Sequence, residues 1–153
     1  MYRFQFLREG ESMHKPWLPY VWITVIGLFL LIITWFIYVG LYLSIEHMYY
    51  PNDPQDFPAD TLRLASALVL LVIYVGTSML YDKPLIKAIG LVPVVSMMVI
   101  ALYLSFYGRP WVGFFWILVF GFHIIIFLRK LKVPTYTYYA VIYATLLALA
   151  YTL

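Results

Sequence analysis

The sequence predicts an all-α integral membrane protein, a bundle of five transmembrane helices with the N-terminus cytoplasmic and the C-terminus outside. Three observations carry this. First, 65% of the 153 residues are hydrophobic and 11% are charged, against about 45–50% and about 25% in soluble domains. So few charges cannot coat a water-facing surface, and the abundance of aliphatic and aromatic residues excludes a disordered chain. Second, the apolar residues fall in runs of about 20 or more, the length that crosses a ~30 Å hydrocarbon core as a helix. Third, the charges lie between the runs and divide unequally between the two ends.

Residues 1–16 form a short cytoplasmic arm, mixed and charged, in which Tyr2, Phe4, Phe6 and Leu7 suit the membrane interface. The arm is not the start of a secretory signal, because the next apolar run is too long and no small-residue cleavage site closes it. The first span is 17–45; at ~1.5 Å per residue it exceeds the hydrocarbon thickness and must tilt or protrude. Residues 46–60 follow as an acidic outer loop with Glu46, Asp53, Asp56, Asp60 and three prolines. The second span is 61–81, with Asp60 or Thr61 placed to cap it. Asp82-Lys83-Pro84 breaks it from the third, 84–107, in which Pro93 removes one backbone hydrogen bond and predicts a kink. Gly108-Arg109-Pro110 opens the fourth, 110–128. The basic stretch Arg129-Lys130-Leu131-Lys132 leads into the fifth, 133–153. A β-barrel would need strands of about 10 alternating residues, and long apolar runs must satisfy their own backbone, which a helix does.

Orientation follows from the positive-inside rule. With the N-terminus inside, Arg3, Arg8, Lys15, Lys83, Lys87, Arg129, Lys130 and Lys132 are cytoplasmic, which is 8 of the 10 basic residues. Arg63 and Arg109 are outside with the acidic loop. The plasma membrane is the expected location.

Small residues drive helix association in lipid, where apolar burial gains little. Ala140, Ala144 and Ala148 form a ridge on the fifth span, better suited to packing within the chain than to a subunit interface. Gly113 and Gly121 share a face of the fourth. The third carries Ala101 and Ser105, and the first Gly40 and Ser44. Trp17 and Trp22 at the inner side, and Trp111 and Trp116 at the outer, are interface anchors in two aromatic belts. Trp35, Tyr38 and Tyr74 lie deeper, with Thr34, Thr77 and Ser78 as candidate partners.

Function is harder to read. The chain has no cysteine, so disulfides, thiolate metal sites and cysteine nucleophiles are excluded. No nucleotide-binding, metalloprotease or serine-hydrolase motif occurs. Within the spans the only Asp, Glu, Lys or Arg are Arg63 and Lys87, near the ends, where both can snorkel to the headgroups. An ion-coupled transporter or proton pump needs more than this, and five spans do not divide into two inverted repeats.

His123 is the one titratable group well inside, about 9 Å from Arg129 along the helix. Its bland reading is a hydrogen bond to a neighbouring helix. Its functional readings are a donor to a quinone or lipid, or an axial ligand to a haem shared with a partner chain. The outer carboxylates with His47 show no spacing of a metal site. The expectation is a non-catalytic accessory subunit of a multi-subunit membrane complex, of the respiratory, electron-transferring kind. It would hold no cofactor alone, and its partners would be other membrane subunits and lipids rather than nucleic acid. The alternatives are an enzyme or carrier that binds a quinone or lipid near His123, and a small transporter or channel.

Overall fold

The computed structural model describes residues 15–49 and 57–152. Among them are five α-helices and no strand: α1 (Leu18–Tyr49), α2 (Ala59–Leu80), α3 (Pro84–Ser105), α4 (Pro110–Lys130) and α5 (Thr135–Thr152). The first four are long and apolar enough to cross a membrane. The fifth, 18 residues long, opens on Thr135-Tyr136-Thr137-Tyr138-Tyr139, and these hydroxyl-bearing residues leave it outside that group.

Pro84 and Pro110 start α3 and α4, as expected of a ring that presets φ and lacks the N–H the first turn would orphan. Elsewhere the boundaries differ from those read in the sequence. α1 runs on through Glu46, His47, Met48 and Tyr49, because none of these breaks a helix and the next proline is Pro51. The helical start of the acidic segment therefore belongs to α1. α2 starts behind Pro58, with no side-chain cap. Asp60 does not cap it; its Oδ1 pairs with Arg63 at 2.9 Å. α4 takes in Arg129 and Lys130, cations in the turn where the helix dipole favours them. The turn to α5 places Lys132 at φ 51°, a left-handed conformation that usually follows a helix C-terminus. α3 continues as helix through Pro93. Most of the arm at 1–16, and residues 50–56 of the loop with Asp53 and Asp56, lie outside the described residues.

α3 is the hub. Its residues 91–101 are all buried, and each of the other four helices packs on it. Cross-helix pairs give the directions. Thr24 meets Tyr139 and Trp35 meets Tyr151, so α1 and α5 run parallel. Gly27 sits on Val92 near the start of α3, so α3 runs with them, and the short turns send α2 and α4 the other way. One end of the bundle thus collects Lys15, Lys83, Lys87, Arg129, Lys130 and Lys132 with Asp82, and is called the basic end here. The opposite end holds Glu46, Asp60, Arg63 and Arg109.

Backbones come close where side chains are small. Ala140, Ala144 and Ala148 are fully buried, on the side of α5 from which the Ala144 carbonyl accepts a 3.0 Å hydrogen bond from the buried Ser96 Oγ of α3. A Cβ on Gly113 would lie 3.5 Å from Tyr103 backbone atoms and the Phe106 side chain, whereas Gly121 and Gly40 face no neighbour within 4 Å. The tightest approach falls on a glycine the sequence pattern did not single out: a Cβ on Gly27 would stand 2.8 Å from Val92 Cγ2 and 3.1 Å from its Cβ. Val92 is fully buried and stiff about χ1, so it cannot yield. Gly27→Ala should lower stability by about 1–3 kcal/mol through overpacking, while Gly40→Ala, on the same helix, should be tolerated. Thermal unfolding of the two variants in one detergent checks the contrast.

Candidate functional site

α4 and α5 both pack on α3 and scarcely touch each other. Between them runs a groove of about 670 Å³, floored by Val95 and Val99 of α3. The volume lies in the ~300–1,000 Å³ range of sites for small molecules. Its walls are apolar. Ile117, Phe120 and Ile124 come from α4, and Val141, Ile142 and Leu146 from α5. Only two lining side chains, His123 and Thr145, carry polar atoms.

His123 is on the outer surface of the bundle and lines this groove. Its Nδ1 lies 2.7 Å from the Val119 carbonyl of its own helix. A carbonyl can only accept, so Nδ1 carries a proton, and in the neutral ring Nε2 keeps its lone pair. The expected bond to a neighbouring helix is therefore replaced by one within α4. Thr145 is in a similar state: its Oγ1 donates to the Val141 carbonyl at 2.9 Å, leaving oxygen lone pairs. The groove thus offers hydrogen-bond acceptors in an apolar setting. It can take an apolar molecule with an O–H or N–H donor, and Nε2 could ligate one metal position. Gly121, beside His123, meets no neighbour and keeps the groove wide.

The remaining candidates disperse. His47 is exposed on the last turn of α1, at the end opposite the basic cluster, and His14 lies outside the described residues. Among the described residues no group of three His, Asp or Glu could hold a metal ion. Trp17, Trp22, Trp111 and Trp116 are all exposed on the bundle surface, two near each end, and Lys15 Nζ stands 5.6 Å over the Trp17 ring.

The deeper aromatics find different partners from those expected. Trp35 Nε1 donates to Tyr151 OH at 3.2 Å, and Tyr74 OH to the Lys87 carbonyl at 3.1 Å. Thr34, Thr77 and Ser78 donate to carbonyls of their own helices. Tyr38 packs its ring near Tyr42, centroids 6.1 Å apart.

A polar seam between α1 and α5 went unread in the sequence. Thr24 Oγ1 donates to the Tyr20 carbonyl, so the 2.8 Å contact with Tyr139 OH has Tyr139 as donor. Tyr143 OH donates to the Thr24 carbonyl at 3.3 Å. The Tyr139 and Tyr143 rings stack at 5.9 Å, and Tyr20 meets Tyr139 edge-on at 5.2 Å. The spacing of Tyr20 and Thr24, and of Tyr139 and Tyr143, is the four-residue repeat of one helix face, which is the signal that could have found it.

These placements separate structure from site. Tyr139→Phe should cost about 0.5–1.5 kcal/mol, the range for an interhelical hydrogen bond in a membrane bundle. His123→Phe should leave stability within about 0.5 kcal/mol, as for an exposed position. Unfolding of both variants in the same detergent measures the difference.

No protein-family model matches the chain, and neither a curated protein nor a solved structure is significantly similar to it.

Proposed function

We propose that the chain is a non-catalytic accessory subunit of a multi-subunit membrane complex, of the respiratory, electron-transferring class. One observation carries this reading: the only described histidine well inside the helices, His123, is turned to the outer surface in an open groove rather than sealed inside the bundle. Chemistry at that position requires a second molecule, supplied by a neighbouring subunit or by the membrane. Mild solubilisation of native membranes, followed by mass spectrometry of what co-purifies with the full chain, tests it. Stoichiometric membrane partners are expected, and a stable, monodisperse lone chain would count against the role.

A second reading is favoured by the same groove. As a carrier or enzyme site, it would take a quinol or a hydroxylated lipid, the O–H donating to His123 Nε2. A haem would find one axial ligand there and need the other from a partner chain. Binding of a quinol analogue that His123→Phe abolishes would support this reading over the first.

Both readings set all five helices across the plasma membrane with the basic end cytoplasmic, the N-terminus in and the C-terminus out. α1 at 32 residues and α3 at 22 suit a span by length, and α5 lies parallel to them. The natural absence of cysteine makes single-cysteine labelling clean. Cysteine at Gly108, exposed in the α3–α4 turn, should react with an impermeant maleimide on intact cells. Cysteine at Leu131, exposed in the α4–α5 turn, should react only after permeabilisation. The reverse pattern would invert the orientation.

A further inference from the structure

A second cleft of about 340 Å³ lies toward the basic end, between α1 and α2 and floored by α3. Ile26 and Leu30 of α1 give it an apolar wall. Lys87, Tyr74, Thr77 and Ser78 give it a polar one, with the exposed Tyr81 at its rim. The Tyr74, Thr77 and Ser78 hydroxyls have already committed their protons. Tyr74 OH donates to the Lys87 carbonyl at 3.1 Å, Thr77 Oγ1 to the Ile73 carbonyl at 2.9 Å, and Ser78 Oγ to the Val75 carbonyl at 2.8 Å. What they present to a ligand is oxygen lone pairs. Lys87 supplies the opposite: a cation with three donors. Among the described residues it has no carboxylate partner. Asp82 is the one described acid at this end, against Lys15, Lys83, Lys87, Arg129, Lys130 and Lys132.

We propose that this cleft binds a phospholipid of the phosphatidylglycerol type, with its phosphate at Lys87, its headgroup hydroxyls donating to the Thr77 and Ser78 oxygens, and an acyl chain along Ile26 and Leu30. Each part of the cleft asks for a different part of that molecule. The cation selects a phosphate, and the surplus of positive charge selects a net negative headgroup. The lone pairs select a headgroup that donates hydrogen bonds, which a choline cannot. The apolar wall selects a molecule with a chain. Phosphatidylethanolamine donates but carries no net negative charge, and soluble glycerophosphate lacks the chain. The inference needs the bundle to sit in a membrane and is independent of the accessory role.

Native mass spectrometry of the full chain in detergent, titrated with phosphatidylglycerol, phosphatidylethanolamine, phosphatidylcholine or soluble glycerol phosphate, tests it. Phosphatidylglycerol should bind tightest and the soluble headgroup weakest. Lys87→Gln should weaken phosphatidylglycerol binding about fivefold, the effect of one lysine at a charged surface. Lys130→Gln, exposed at the same end but away from the cleft, should leave it unchanged. Lys87→Gln keeps the backbone carbonyl that holds Tyr74, so the local contact survives. As a second variant, Thr77→Val with Ser78→Ala removes hydroxyls bonded only to their own helix, and should narrow the preference for phosphatidylglycerol over phosphatidylcholine. Equal effects of Lys87→Gln and Lys130→Gln would reduce the site to bulk charge. Equal binding of phosphatidylcholine, or of soluble glycerol phosphate, would overturn the proposal.

Discussion

How closely four helix backbones can approach α3 sets the architecture. Between apolar helices in lipid the hydrophobic effect provides little net drive, so contact area and short interhelical distances must supply the attraction. The chain meets this by placing its smallest residues where neighbours touch α3. Gly27 seats α1 on Val92, Ala140, Ala144 and Ala148 are buried in α5, and Gly113 brings α4 against Tyr103. Ser96 adds a buried hydrogen bond to the Ala144 carbonyl, a bond for which a hydrocarbon surrounding offers no substitute.

A central helix with only four satellites is incompletely ringed, since six equal cylinders are needed to surround one. Seams must therefore open between satellites. α1 and α5 bridge theirs with the Thr24, Tyr139 and Tyr143 cluster and with Trp35 on Tyr151, leaving a smaller apolar cleft of about 240 Å³ beside Trp35. The seams between α4 and α5, and between α1 and α2, stay open as the His123 groove and the Lys87 cleft. Both candidate sites are thus consequences of the packing rather than additions to it. Their polar character depends on which side chain happens to line each seam.

Most of the fold was legible before the structure, because the signals are local. Pro84 and Pro110 mark helix starts by ring geometry alone, and the charged turns mark the rest to within a few residues. The misplaced end of α1 has a local cause too: Glu46 and His47 look like loop because they are polar, but polarity does not break a helix and proline does. The identity of the hub was not legible. Each span is apolar on all sides, so no periodicity tells which helix is enclosed, and proximity of Gly27 to Val92 is a property of the pair rather than of either stretch. For His123, depth could be read from its distance to Arg129, but facing could not. Facing depends on α4 and α5 splaying apart, which only the three-dimensional arrangement reveals.

The hydroxyl groups carry the same lesson into chemistry. Thr34, Ser44, Ser66, Thr77, Ser78, Thr145 and Thr152 all donate to carbonyls of their own helices, as His123 does through Nδ1. In a hydrocarbon surrounding each would otherwise hold an unsatisfied donor, a cost that the preceding turn's carbonyls relieve. After that settlement every one of these side chains is an acceptor toward the outside. Neutral donors remain at the two ends, where the indole N–H groups of Trp17, Trp22, Trp111 and Trp116 are exposed, while the Thr and Ser oxygens and His123 Nε2 between them show lone pairs. A ligand or partner helix that pairs with those side chains must bring donors of its own, and that asymmetry distinguishes the molecules the open seams can hold from those they can merely lie beside.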